Sequence, residues 1–272
     1  MKTRNIAKKV IVYVFLISAF VISVFPFYWM IVGMTNKSVD VIKGKMTFGT
    51  QLINNLITLF TSFDMKGILL NSIKVSALTV MGTLLISSMA AYGFQIFSSP
   101  AREKIYNAIL LSMMIPFAAL MIPLFRLIVK FGLLNKHIGL ILTSIASVFI
   151  IFFFRQSIKS FPYEIIQAAR VDGAGEFRIF FTIFMPSMRS TYAAAAIYSF
   201  MNSWNAYLWP LIVLQTDEKK TVTLLISSMS SAYTPQYGVI MTAIVIATLP
   251  IIIVFFTFQR YFVQGMLGSI KQ

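Results

Sequence analysis

The residues that could do chemistry are few. The 272-residue chain has eight acidic residues, one histidine and no cysteine. Without a thiol or a second histidine there is no set of soft or imidazole ligands for a metal. No G-x-x-x-x-G-K-[ST] run occurs, so no phosphate-cradling loop is available for a nucleotide. No apolar stretch pairs two acidic residues, as a proton relay through a membrane would need. The sequence therefore predicts no catalytic residue, no metal and no cofactor. Two groups of polar residues remain. Three of the acidic residues, Glu164, Asp172 and Glu176, fall within Phe161–Pro186, beside the run Gln167-Ala168-Ala169 and Gly173. Asn202, Ser203, Trp204, Asn205 and Tyr207 lie together in an otherwise apolar stretch. Amides, hydroxyls and aromatic faces in apolar surroundings suit hydrogen bonding to, and stacking on, a sugar ring. They equally suit hydrogen bonds between helices of neighbouring subunits, and both readings stand.

The elements that position these residues follow from composition. The chain is 58% hydrophobic and 11% charged, with a mean hydropathy of +0.83. Soluble domains carry about 25% charged residues, so too few charges are present to cover a water-facing surface. The net charge of +15 would suggest nucleic acid in a soluble protein. Here the basic residues flank apolar segments, where they report membrane orientation and contact with anionic lipid. The apolar segments predict an all-α polytopic membrane protein with six transmembrane helices, at about 10–34, 67–97, 105–131, 138–154, 190–214 and 237–258, in a single domain over 1–272. The first run is too long for a signal-peptide core and ends in Phe27-Tyr28-Trp29, so it reads as a retained span. Leu52–Phe60 and Thr221–Tyr233 are too short to span and are expected at the interface. Small residues in the second span (Ala77, Gly82, Ser87, Ser88, Ala90, Ala91, Gly93) predict close helix packing. Pro116 and Pro123 predict a kinked or unwound third span. Lys74 and Arg126 read as snorkelling side chains.

Six spans put both termini on one side. Thirteen Lys and Arg, including Arg155 and Arg170, fall on that side and eight on the other, which places the termini and the 155–189 loop in the cytoplasm. His137, after Lys136, is then in a short extracytoplasmic turn and is expected to be solvated. Within Phe161–Pro186, Pro162 suits a first helical position and Glu164 a first turn, where the helix dipole favours an anion. Asp172-Gly173 predicts a helix end. Ala168 and Ala169 are expected to present a small-residue face for close docking. A second helix, rich in phenylalanine (Phe177, Phe180, Phe181, Phe184), is expected from about Gly175 and to stop before Pro186.

This stretch resembles the EAA motif of ABC importer permease subunits: E-A-A, three residues, G, nine residues, I-x-L-P. It reads here as Gln167-Ala168-Ala169, Gly173, Ile183, Met185 and Pro186, with every spacing kept. Asp172-Gly173-Ala174 and the run Ser203-Trp204-Asn205-Ala206-Tyr207-Leu208-Trp209-Pro210-Leu211 resemble the carbohydrate-uptake branch. Ala90-Ala91-Tyr92, Gly132-Leu133-Leu134-Asn135 and Gln259 to Gly265 are similar to further family signatures. The resemblance covers nearly the whole chain. It implies a type I ABC importer permease fold and a role in moving a sugar into a bacterial cell. It also implies three partners: a second homologous permease, a cytoplasmic ATPase dimer that hydrolyses the ATP, and an extracytoplasmic sugar-binding protein. In the family the EAA stretch is the helix that docks into the ATPase, which here implies Glu164, Gln167, Ala168, Ala169, Asp172 and Gly173. Gln167 departs from the motif's Glu, turning a charge-assisted contact into a weaker neutral hydrogen bond; Met185 departs from its Leu. The competing readings are an ion-coupled secondary carrier, a membrane enzyme and a channel subunit. The sequence lacks the acidic pairs a carrier would use and the His, Asp or Glu clusters an enzyme would use.

Overall fold

The computed structural model describes residues 2–267, with side chains from Lys8 to Gln259. The signature residues Arg260 to Gly265 lie outside the described side chains. Fifteen α-helices account for most of the chain, and no strand occurs among the described residues. They are α1 (Lys2–Gly33), α2 (Ser38–Ile42), α3 (Leu52–Ser62), α4 (Met65–Ile96), α5 (Pro100–Ser112), α6 (Phe117–Lys130), α7 (His137–Ser144), α8 (Val148–Ile158), α9 (Tyr163–Val171), α10 (Glu176–Ile179), α11 (Met185–Ser187), α12 (Arg189–Trp204), α13 (Leu208–Val213), α14 (Val222–Ser230) and α15 (Tyr237–Leu267). A π turn, Phe180–Phe184, joins α10 to α11.

Among the described residues, three stretches are long and apolar enough to cross a membrane: Lys8–Gly33, Met65–Ile96 and Tyr237–Gln259. Two bent pairs could each make one more crossing: α5 with α6, turned by 103°, and α7 with α8, turned by 41°. The expected third span breaks at Pro116, which is the residue before α6, whereas α6 continues through Pro123. The break in the fourth, at Ile145–Ser147, has no proline or glycine behind it; Ser147 caps α8 by accepting the Ile150 N–H. The expected fifth span comes in two pieces, α12 of 16 residues and α13 of 6, separated at Asn205–Tyr207.

Two compact units are distinguishable. In the first, built from α1–α3 with Ile226–Leu249, the Asn55 amide donates to the carbonyls of Met34 and Asn36. The Asn36 amide donates in turn to Val32 and Thr47. These bonds fold α3 back onto the end of α1 and satisfy carbonyls that a helix end leaves open.

The second unit, Lys66–Leu225 with the chain from Pro250, holds both polar groups singled out above. One core cluster of Tyr92, Tyr106, Phe154, Ile166, Ile179, Phe180 and Phe184 gathers α4, α5 and α8 around the 161–186 segment. A second cluster, including Val75, Ile128, Leu140, Trp209 and Val213, lies around α7 and α13. Along α4 a hydroxyl stripe, Ser72, Ser76, Thr79, Thr83 and Ser87, is buried throughout. Spacings of three and four put these residues on one helix face. Apolar solvent gives no drive for helix association, so small polar side chains bring helices together. Thr83 and Ser87 reach the Ser144 and Ser147 carbonyls. The expected interfacial stretch at Thr221–Tyr233 forms α14, whose Val222, Leu224 and Leu225 are buried.

Candidate functional site

The 161–186 segment begins at α9. Pro162 precedes the helix as its N-cap residue rather than occupying the first helical position. The other end is a glycine stop. Gly173 has φ +78°, its N–H bonds to the Arg170 carbonyl and the Ala174 N–H reaches back to Ala169. This is the paired bonding of a Schellman turn, which satisfies carbonyls left open at a helix end.

The faces of α9 differ from the expectation in one respect. Glu164, Gln167, Ala168, Asp172 and Gly173 are exposed, but Ala169 is 8% exposed and packs with Ile166 into the core. Positions 166 and 169 share a face at helical spacing, and the large apolar Ile166 sets which face turns inward. Ala168 alone presents the small outer surface; Ala169 is an anchor. Sequence reasoning missed the residue that stands out most, Val171, which is 88% exposed at the end of α9. A valine in the last turn before a glycine stop carries no signal of its own.

The expected second helix also differs. It does not stop before Pro186. Phe180–Phe184 form a π turn, the Met185 N–H bonds to Phe180, and the chain continues helically through Pro186. A proline ring in an α-helix collides with the carbonyl four residues earlier. Widening one turn makes room for it.

A brace fixes this segment to α4. The Tyr92 hydroxyl donates to Glu176 Oε2 at 3.0 Å, and Arg170 Nε donates to Glu176 Oε1 at 2.6 Å. Arg170 Nη1 donates to the Tyr163 hydroxyl at 3.1 Å. Residues from α4, α9 and α10 thus meet at one carboxylate. The hydrogen bond from Arg170 holds the Glu176 carboxyl below the usual carboxylate range, and that from Tyr92 acts in the same direction. A comparable junction lies at the end of α8. Arg155 is buried, stacks over the Tyr106 ring at 4.0 Å, pairs with Glu103 and donates to Gln95. The orientation count placed Arg155 in the 155–189 loop; it lies in the last turn of α8, with its charge paired inside the protein.

The second polar group lines a cavity of about 610 Å³. Asn202, Ser203, Asn205 and Tyr207 line it; Trp204 does not. Trp204 is 2% exposed and stacks on Phe200 at 5.4 Å. One helical turn separates the two rings, which turns Trp204 away from the side of Asn202 and Asn205. Trp209 does line the cavity, and its Nε1 donates to Thr143 Oγ1 at 2.8 Å. Sequence reasoning missed Thr79, Thr83, Thr143, Ser199 and Thr221 on the cavity wall. The spacing of 72, 76, 79, 83 and 87 along α4 was the available signal.

A loop clamp joins Asn135 to the end of α13 and the residues after it. Asn135, with φ 56°, accepts from the Gln215 and Thr216 N–H groups through Oδ1. Its own N–H bonds to Val213. His137 is held rather than free: Nε2 lies 2.9 Å from the Lys219 carbonyl oxygen, which fixes a proton on that nitrogen.

Residues 82–268 match the model of the binding-protein-dependent transport system inner membrane component family, with the Tyr92 brace and most of the cavity inside that range. The chain belongs to this family. It is 54% identical over 250 residues to the lactose transport system permease protein LacG of Rhizobium radiobacter, covering 92% of each. It is 35% identical over 256 residues to the arabinooligosaccharides transport system permease protein AraQ of Halalkalibacterium halodurans, again over 92% of each. It is 31% identical over 268 residues to the sn-glycerol-3-phosphate transport system permease protein UgpE of Rhizobium meliloti, covering 94% of this chain and 95% of that protein. A crystal structure of a bacterial ABC transporter involved in alginate import superposes with a TM-score of 0.82 at 19% identity. The match covers 96% of this chain and 97% of that one. The fold is that of an ABC importer permease, a helical polytopic membrane protein.

Proposed function

We propose that this chain is the permease subunit of an ATP-driven, binding-protein-dependent importer of a sugar in the bacterial inner membrane. The observation that carries the reading is the α9 surface: Glu164, Gln167, Ala168 and Val171 stand outward on a short helix that ends in a Schellman turn and is braced to α4 through Glu176. A helix exposed on one side and fixed to a long membrane helix on the other can pass a partner's movement into the membrane. The chain performs no bond chemistry in this scheme. A cytoplasmic ATPase dimer docks on α9, a second homologous permease completes the solute path, and an extracytoplasmic binding protein delivers the solute. The 1–272 chain acts as one permease domain crossing six times. The bent pairs α5–α6 and α7–α8, and the interrupted α12–α13, each count as one crossing, with both termini cytoplasmic. The relatives named for lactose and arabinooligosaccharides support a sugar as cargo.

The test uses the absence of native cysteine. Ala168→Cys, co-expressed with an ATPase carrying a single cysteine in its docking cleft, should give an oxidative cross-link, and the uncross-linked complex should show ATP-dependent uptake in proteoliposomes. A chain that purifies with no ATPase, or one whose position 168 is reached only from the extracytoplasmic side, would sink the reading. Gln167 gives a milder expectation. Gln167→Glu should leave ATPase docking equal or up to roughly fivefold tighter, since hydrogen bonds to charged groups contribute about 1 kcal/mol more than neutral ones. Weaker co-purification of the variant would contradict an outward, partner-facing position 167.

A further inference from the structure

Within the second unit, two helical stretches pass from one apolar cluster to the other, and they do so at the same level. On α4, Val75 belongs to the cluster around α7 and α13, whereas Leu84, Ala91 and Tyr92 belong with the cluster around the 161–186 segment. On the α7–α8 pair, Leu140, Ile141 and Ile145 are in the first cluster and Ile150, Ile151, Phe154 and Ile158 in the second. No described residue is in both. α4 makes the passage as one continuous helix, while α7–α8 makes it through the 41° break. The two changes of cluster meet at one contact. Gly82 lies between Val75 and Leu84 on α4, and a Cβ placed on it would be only 2.6 Å from Ile145 Cγ2. Glycine is unfavourable inside a helix. Here its missing side chain makes the seat for the residue at the break.

The polar holds on the break are long ones. Thr83 Oγ1 donates to the Ser144 carbonyl at 3.3 Å and Ser87 Oγ to the Ser147 carbonyl at 3.5 Å. A helical hydroxyl can also turn back to its own helix, as Thr143 does to Gly139 and Ser88 to Leu85. Releasing the break therefore exchanges one partner for another and strands no hydroxyl. The arms on either side are tied more firmly. Arg155 of α8 pairs with Glu103, and Phe154 and Ile158 pack in the cluster that holds Ile166 of α9. On α7, Thr143 Oγ1 accepts the Trp209 Nε1–H and joins the helix to α13. Exchangeable holds between two firmly tied arms make a hinge, in which a few element-terminal residues take up the rotation. We infer that Ile145–Ser147 is a hinge seated on Gly82, about which α8 and the cluster around the 161–186 segment turn against α7 and the cluster around α13. Thr143, Ser144 and Ser147 line the 610 Å³ cavity, so the turn reshapes its wall. The inference rests on the importer reading, because an ATPase docked on α9 is what drives the turn. It adds that the second unit bends within itself rather than moving as one block.

A cysteine pair tests this in the complex of both permeases and the ATPase, in proteoliposomes with binding protein and labelled sugars (lactose and arabinobiose first). A Cβ on Gly82 would be 3.3 Å from Ile145 Cβ, close to the separation of about 3.5–4.5 Å that a disulfide spans. The chain has no cysteine of its own. Gly82→Cys combined with Ile145→Cys should cross-link on oxidation. Because the bond tolerates little displacement, its rate should differ roughly tenfold between the nucleotide-free complex and the complex trapped with ATP and vanadate. The cross-link should stop uptake and a reductant should restore it, while Ile145→Cys alone should transport with or without oxidant. Spin labels give a second measure that does not need this pair to assemble. α8 has 11 residues, so a turn of about 20° carries its far end about 6 Å at 1.5 Å per residue. Gln156, Leu211 and Phe177 are exposed on α8, α13 and α10. The distance between labels on Gln156→Cys and Leu211→Cys should change by several ångströms between the two states, and that between Gln156→Cys and Phe177→Cys should not. Equal cross-linking rates, uptake undiminished by the cross-link, or an unchanged 156–211 distance would overturn the hinge. With wild-type uptake intact, any of these would leave the importer reading standing. No ATP-driven uptake of any solute by the wild type would end that reading and the hinge with it.

Discussion

Gly173→Pro is expected to lower ATP-driven uptake by about a hundredfold, while the protein still reaches the membrane at near-normal levels. Residue 173 sits at φ +78°, whereas proline fixes φ near −65° and has no N–H, so the variant loses both the reversal of the chain and the bond to Arg170; proline at an incompatible position costs about 3 kcal/mol. A nine-residue helix has little stability of its own to absorb this. The last turn of α9, with Val171 and Asp172, should lose its shape. A Cβ at position 173 would meet nothing within 4 Å, so the effect is one of backbone handedness alone. That predicts an ordered series: Gly173→Asn close to wild type, Gly173→Ala weakened by about 1 kcal/mol of left-handed strain, and Gly173→Pro uncoupled. Uptake by the proline variant at even a third of the wild-type rate would show that the Schellman turn is dispensable.

Glu176→Ala should have the next largest effect. It removes the acceptor shared by Tyr92 and Arg170 and leaves the Arg170 guanidinium without its carboxylate. Hydrogen bonds to charged groups contribute about 1.5–3 kcal/mol; because Glu176 is 38% exposed, solvent screening lowers this to about 1–2 kcal/mol. ATP hydrolysis should continue while uptake per ATP falls roughly tenfold, because 1.4 kcal/mol is a tenfold change in an equilibrium. Tyr92→Phe, losing one bond, should fall between this variant and wild type. The pH dependence has a definite sign. Pairing with Arg170 depresses the carboxyl pKa, so the brace is fully made at neutral pH and is lost only as pH falls through the depressed value. Glu176→Gln should abolish that acid-side loss. Unchanged coupling in Glu176→Ala would show that α9 is held by its apolar contacts alone.

These variants also mark what could be read from the chain itself. The helix end at Gly173 was legible because backbone handedness is local. The spacing of 167, 168, 169, 173, 183 and 186 was legible because the family motif is a fixed pattern. The inward turn of Ala169 was not, since the cluster it joins is built largely from other elements, with Phe154 and Phe184 among its members. The break at Ile145–Ser147 was not either; no proline or glycine announces it, and it depends on hydroxyls of α4 that reach carbonyls sixty residues away. Trp204 looked like a stacking surface by type, but its register on α12 faces it toward Phe200. Proline at 186 looked like a stop because sequence rules treat the α-helix as rigid, and one widened turn removes the conflict.

The bond from Val222 to Ser72 joins positions 150 residues apart, and Asn71 reaches Glu218 and Lys220 across similar separations. A ribosome adds about 5–20 residues per second, so α4 waits roughly 8 to 30 s for the segment it caps. During that interval Ser72 and Asn71 have no mate, and the wall that Thr221 completes does not yet exist. The cavity is therefore among the last features to form during synthesis, and a chain truncated before Leu214 would enter the membrane with its brace made and its cavity open.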